Sequence, residues 1–174
     1  MCSSDLTNYA LHPVHATVFL CNSAADPDVI IQRIHKTISS LPAFNISFEG
    51  WLTFFNDAGT GKHTLTVGIN SGRELQALQK KIAEELLDLI AAPIKYQVPW
   101  EGSYFDSYNK WGFPFVGTHW RPHLTVGSSA SLSLLEQIQK KNSLLSFSTV
   151  PFQNVSLFLI NGDAHRSEEH TSEL

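Results

Sequence analysis

The fold is decided by the stretch RPHLTVG at residues 121–127, which has a counterpart in HPVHATVFL at residues 12–20. Both stretches are rich in apolar and β-branched residues, and each contains a His-x-Thr motif, His15/Thr17 and His123/Thr125. Residues two apart in a strand point to the same face of the sheet. Each motif therefore predicts a strand that presents an imidazole and a hydroxyl side by side.

The two motifs together suggest a specific chemistry. An imidazole can take up or release a proton near neutral pH, and a hydroxyl can donate a hydrogen bond to a phosphate oxygen. Two such pairs facing one phosphorus atom would supply an acid, a base and two donors. That set is sufficient for in-line displacement at a phosphodiester without a metal. The reactive nitrogens of His15 and His123 should then lie roughly 5–8 Å apart across a cleft, with one phosphate between them.

A single His-x-Thr is not specific, because His35 and Thr37 also form one. That copy lies in a predicted helix, where positions i and i+2 diverge by about 200°. His63 lacks a threonine two residues later and is interpreted as an ordinary strand histidine. The informative feature is the pair of strand motifs, 108 residues apart and each followed by a predicted helix. The alternative is that His15 and His123 are two structural strand histidines.

The predicted elements repeat around the motifs as strand, helix, strand. This order predicts an α+β fold with two pseudo-symmetric lobes of mostly antiparallel sheet, outer helices and a central cleft to which each lobe contributes one motif. Residues 93–121 are interpreted as a long aromatic loop. The predicted strands are 11–21, 44–55, 62–69, 123–127, 147–149 and 155–160. The first predicted helix begins after Asp26 and has an apolar stripe of Val29, Ile30, Ile34 and Ile38. The second begins at a capping box at 71–74 and has Leu75, Leu78, Ile82, Leu86 and Ile90 on one face, and the third begins at 132.

The two ends of the chain are unlike the rest. Residues 1–6, MCSSDL, and residues 166–174, RSEEHTSEL, can be encoded by complementary strands of one short sequencing adapter. We interpret them as adapter-derived, the alternative being ordinary polar tails, and residues 7–165 as a single domain truncated at both ends. Residues 166–174 should then be exposed and make no core contacts.

Charge and cysteine content limit the partners. The net charge is −4, and it becomes −1 without one arginine and four acidic residues in the two ends. A near-neutral chain has no large basic face, so a nucleic-acid substrate would be short or held locally. Cys21 alone outside the ends cannot form an internal disulfide, which suggests a reducing, cytoplasmic setting. No apolar run is long enough for a membrane span, and we expect a monomer.

Residues 13–160 resemble the 2H phosphoesterases, the superfamily that includes 2′,5′-RNA ligase-like proteins and cyclic phosphodiesterases. Pro122 directly before His123, preceded by Arg121, is typical of their second motif. The resemblance implies a bilobal α+β fold, no cofactor, and a substrate that is a nucleotide or an RNA end, with a 2′,3′-cyclic phosphate or a 2′,5′ linkage. Members commonly have a strand before the first motif and another after the last predicted strand, and we expect that the adapter boundaries removed both. The implied site residues are His15 and His123 for catalysis and Thr17 and Thr125 for phosphate binding.

Other residues near the second motif are open to two interpretations. Arg121 could contact a phosphate oxygen or form a surface salt bridge. Tyr104 and Trp111 could stack a base or belong to a small core under the loop. His119 and His123 do not predict a metal pair, because Pro122 is incompatible with the helix that would align them.

Three functions fit these patterns. The first is a metal-independent phosphodiesterase. The second is a non-catalytic nucleotide- or RNA-binding module with the same fold, against which the two intact histidines argue. The third is an α+β domain that binds a protein partner.

Overall fold

The computed structural model describes residues 14–57, 60–70, 72–94, 101–142 and 149–158, and the backbone of 170–173. The architecture is α+β with antiparallel sheets, as predicted. No helix within these ranges is long and apolar enough to cross a membrane. The elements are β1 (Asn22–Ser23), α1 (Pro27–Ile38), β2 (Phe44–Asp57), β3 (Lys62–Ile69), α2 (Arg73–Glu85), β4 (Ile90–Ala92), α3 (Gly102–Trp111), β5 (His123–Ser129), α4 (Leu132–Lys141), β6 (Thr149–Phe152), β7 (Asn154–Leu157) and β8 (His170–Glu173).

The main sheet has four antiparallel strands in the order β5-β3-β2-β6, and it is curled. One face packs against α1 and α2 through a core that includes Ile69 and Leu124. α4 lies on the same face, where Gln139 hydrogen-bonds to the Thr53 hydroxyl at 3.3 Å. The helices therefore cover one face of the sheet and leave the second motif on the other.

The first helix forms as its local sequence predicts. The Asp26 carboxylate accepts a hydrogen bond of 2.9 Å from the backbone N–H of Asp28, and Pro27 occupies the first turn. Three residues of the predicted stripe, Ile30, Ile34 and Ile38, are buried. The inclusion of Val29 is wrong, because its side chain is 40% exposed. It neighbours the stripe along the chain but lies outside the arc that faces the sheet.

The second helix is shorter than predicted. α2 ends at Glu85, and Ile90 begins β4 after a 3-10 turn at Leu87–Leu89. The Arg33 side chain donates to the Glu85 carbonyl at 3.0 Å and to both carboxylate oxygens of Asp88, which fixes this turn against α1. The apolar period of four could not reveal that end. The predicted capping box cannot be judged, because Ser71 lies outside the described residues. The N-cap of α2 is Gly72, which has no side chain that could accept a capping hydrogen bond.

The prediction of a strand at residues 11–21 is wrong where it can be judged. Residues 14–21 are in no regular element, residues 11–13 lie outside the described ranges, and β1 covers only Asn22–Ser23, paired with β4. A β-branched segment becomes a strand only if a neighbour pairs with its backbone. Here a side-chain hydrogen bond and packing hold the segment.

The prediction of a loop at residues 93–121 is also wrong. α3 occupies Gly102–Trp111, and a 3-10 turn follows at Gly117–His119. Gly112 ends α3 in the left-handed conformation, with φ +65°, and its N–H bonds to the Tyr108 carbonyl at 2.8 Å. The aromatic residues obscured this helix because the segment has no regular apolar period in sequence.

Four of the chain's last residues form a strand, which the sequence did not predict. His170–Glu173 form β8, which pairs antiparallel with β7. Backbone hydrogen bonds require no particular side chains, so an open strand edge can pair with a polar segment. The origin of residues 1–6 and 166–174 stays a prediction.

Candidate functional site

The second motif lies on β5, at the edge of the main sheet. His123 pairs with Gly68 and Thr125 with Thr66 of β3. The register then shifts, and Leu65 pairs with Gly127, so that Val126 is an extra, bulged residue. His123 and Thr125 therefore share the face of the sheet opposite the helices, where His123 is half-buried and Thr125 is exposed.

Local contacts fix the His123 ring. Its Nδ1 lies 2.7 Å from the backbone carbonyl oxygen of Arg121. A carbonyl can only accept, so Nδ1 must carry the proton that it donates. The Phe54 ring contacts the imidazole edge-on, with 4.8 Å between centroids. Nε2 makes no hydrogen bond to any described residue, so it is the nitrogen that His123 offers to a ligand.

The first motif is extended and amphipathic although it is not a strand. Ala16 and Val18 pack against the main core, whereas His15 and Thr17 are exposed. The predicted alternation of side chains is therefore present in the described part of this segment. The His15 ring contacts Phe158, with 5.6 Å between centroids.

One hydrogen bond links the two motifs. The indole Nε1 of Trp120 donates to the backbone carbonyl oxygen of Thr17 at 3.0 Å. Trp120 is three residues before His123 and is only 7% exposed, within the main core. The segments that carry the two motifs are thus adjacent, although 103 residues separate the two bonded groups.

Gln79 supports this link from α2, and sequence reasoning missed it. Its amide donates to the Phe115 carbonyl at 3.1 Å and accepts from the Gly117 N–H at 3.0 Å. It is fully buried, and both ends of its amide are paired. Gly117 has φ +64°, a conformation that favours glycine. A glutamine on an otherwise apolar helix face was the available signal.

His35 and His63 lie away from the second motif. His35 is exposed on α1 and borders Ser39, as expected for a helix position. The His63 Nδ1 accepts from the Asn56 N–H at 3.1 Å, and its ring contacts Phe55. His63 is an odd position of β3, like Leu65, and so lies on the face opposite His123.

The remaining candidates divide. The Arg121 side chain is exposed and makes no ion pair with any residue in the described ranges. Tyr104 is half-buried, with its ring 4.3 Å from that of His119 between centroids. Trp111 is 7% exposed and packs with Ala83 in a second core cluster, which favours its interpretation as a core residue over that of a base-stacking residue. Its ring is occupied by the protein's own packing.

Buried hydroxyl groups connect strands β3 and β5 next to the second motif. The Thr64 hydroxyl donates to the Asp57 carboxylate at 2.6 Å and lies 2.9 Å from the Ser128 hydroxyl. Because Thr64 and Ser128 lie on β3 and β5, these bonds fix the strand that carries His123. Within the described residues, no group of three or more histidine, cysteine or acidic side chains is placed to hold a metal ion.

The fold and the site define a class: an α+β protein in which two His-x-Thr segments meet beside a curled antiparallel sheet. The model of the 2′-5′ RNA ligase superfamily matches residues 2–164 of the 174-residue chain. The chain belongs to this superfamily, the 2H phosphoesterases. No curated protein and no solved structure matches it.

Proposed function

We propose that this protein is a metal-independent phosphodiesterase that acts on RNA or nucleotide phosphodiesters, either a 2′,3′-cyclic phosphate or a 2′,5′ linkage. The observation that carries the proposal is the hydrogen bond from Trp120 to Thr17, because it brings together the two segments that contain the His-x-Thr motifs. Membership of the superfamily supports the same chemistry.

The mechanism uses His15 and His123 as the proton-transfer pair. One imidazole removes a proton from water as its oxygen attacks phosphorus. The other gives a proton to the ribose oxygen as the phosphorus–oxygen bond breaks. At His123 both roles would use Nε2, because Nδ1 donates to the Arg121 carbonyl. The proposal requires the reactive nitrogens of the two histidines to lie roughly 5–8 Å apart.

Charge stabilisation would come from the side chains beside the histidines. Thr17 and Thr125 are exposed, and their hydroxyls would donate to the non-bridging oxygens. Arg121 is exposed two residues before His123, where its guanidinium would pair with the same phosphate. Tyr104 stays a candidate for stacking a base. These groups require no metal ion and no cofactor.

The test is hydrolysis of 2′,3′-cyclic nucleotides in the presence of EDTA. We expect His15→Ala and His123→Ala each to remove most of kcat/KM and to leave the fold intact, whereas His35→Ala serves as the matched control and retains activity. The wild-type rate should depend on pH as a bell, with one arm for the acid and one for the base. Nucleotide binding without hydrolysis would instead favour the non-catalytic binding module. Loss of activity in EDTA, restored by one divalent ion, would refute the mechanism.

A further inference from the structure

β2 contains a bulge that changes which of its side chains face the helices. Phe48 pairs with Ile69 and Gly50 pairs with Gly68, so Glu49 has no partner of its own. Before the bulge Phe48 packs into the core, and after it Trp51 pairs with Val67 on that same face. Gly50 has φ +115°, which side-chain-bearing residues rarely adopt. Bulges of this kind are common beside active sites, where they redirect a side chain.

The redirected side chain is that of Glu49. A Cβ atom placed on Gly68 would lie 3.6 Å from the Cβ and 3.7 Å from the Oε2 of Glu49. Glu49 therefore covers Gly68, and Gly68 is the cross-strand partner of His123. The Cβ atoms of paired residues lie about 4.5–5.5 Å apart. Together with the 3.7 Å from Gly68, this spacing places the Oε2 of Glu49 within about 9 Å of the His123 Cβ, on the face that carries the motif.

Two exposed residues of opposite charge, Glu49 and Arg121, lie near His123, one across the sheet and one along the chain. Glu49 is exposed and makes no ion pair with any residue that the structure describes. Arg121, also exposed, precedes His123 by two residues along the chain. An anion at Nε2 of His123 would thus be attracted by Arg121, and a further negative group directed toward Glu49 would be repelled.

Resting on the proposed function, we propose that Glu49 is a specificity-determining residue. It disfavours substrates that carry a 5′-phosphomonoester in addition to the reacting phosphodiester, and so selects nucleotides with a free 5′-hydroxyl. A negative unit charge about 8 Å from a carboxylate weakens binding about twofold at the dielectric constant of bulk water and about thirtyfold at that of a protein surface. The penalty should decrease with added salt, because Glu49 is exposed.

The experiment compares two substrates, adenosine 2′,3′-cyclic phosphate with a 5′-hydroxyl and the same compound with a 5′-phosphate. We expect the wild type to prefer the first by kcat/KM, and Glu49→Gln to reduce that preference between about twofold and thirtyfold per added charge. The control is Glu136→Gln, which makes the same change of charge at an exposed position of α4, on the other face of the sheet. This variant should keep the wild-type preference.

The outcomes separate this inference from the proposed function. An unchanged preference in Glu49→Gln, or an equal loss on both substrates, would overturn the role of Glu49 and leave the phosphodiesterase standing. If the wild type hydrolyses neither substrate, the proposed activity on 2′,3′-cyclic phosphates fails. The preference is then measured by calorimetry as a ratio of Kd values for adenosine 3′-phosphate and adenosine 3′,5′-bisphosphate. A ratio that Glu49→Gln reduces supports the inference without catalysis; an unchanged ratio, or no binding of either ligand, overturns it.

Discussion

Replacing Trp120 with phenylalanine would remove the bond between the two motif segments and keep an aromatic ring in the core. The smaller ring buries less apolar surface, at a cost of about 1 kcal/mol. Loss of the 3.0 Å hydrogen bond to Thr17 adds about 0.5–1.5 kcal/mol. We expect the free energy of unfolding to fall by about 2 kcal/mol in urea titrations. A displacement of about 1 Å between reacting groups can lower the rate about 100-fold, so kcat/KM should fall between tenfold and 100-fold.

Trp51 provides the matched control for this prediction. Its indole Nε1 also donates to a backbone carbonyl, that of Asn142 at 3.2 Å, but on the face that the helices cover. Trp51 is half-buried and its hydrogen bond is exposed, so Trp51→Phe should lower stability by less than Trp120→Phe and leave kcat/KM within about twofold of the wild type. Wild-type kcat/KM in folded Trp120→Phe would refute the view that this bond aligns the two motifs. Equal losses of activity in both variants would indicate general loosening instead.

Three further predictions concern stability and reactivity. Gly50→Ala should lower the free energy of unfolding by about 1–3 kcal/mol in urea titrations, because φ +115° strains alanine although no atom lies within 4 Å of the added Cβ. The hydrogen bond from Arg33 lowers the pKa of the Asp88 carboxyl, so its stabilisation is present above about pH 4, the unfolded value, and is lost as the pH falls through the folded pKa; the difference in stability between wild type and Asp88→Asn, followed by thermal unfolding, should disappear in acid. Burial raises the pKa of the Cys21 thiol, so in a Cys2→Ser background this thiol should react with a disulfide reagent at pH 8 more slowly in the folded protein than in urea, and equal rates would contradict its burial.

Much of the local structure follows from the sequence. The Asp26–Pro27 start predicted α1, and the strand patterns on either side of a glycine-containing turn predicted the β2–β3 hairpin. The spacing of two residues also predicted that His15 and Thr17 would point the same way, and both are exposed while Ala16 packs inward. These features depend on residues within a few positions of one another, so a single sequence contains the information.

Features that depend on distant residues could not be predicted in this way. The first motif lies in no strand, because a strand requires a neighbouring backbone and the sequence does not say which segments become neighbours. The aromatic stretch was interpreted as a loop, yet it contains α3 and buries Trp111 against α2. Gln79 is one polar residue on a helix in the sequence, and its two partners in the 115–117 segment are determined by the fold.

The sequence by itself determined the pair of His-x-Thr motifs, the α+β class and the family to which the chain belongs. It did so because residue type and short-range spacing set which side chains share a face. Only the tertiary structure decided that Trp120 joins the two motifs and that Glu49 covers Gly68 beside His123. The physical reason is that both arrangements arise from hydrogen bonding and strand register between segments far apart in the chain, and register is fixed by packing of the whole sheet.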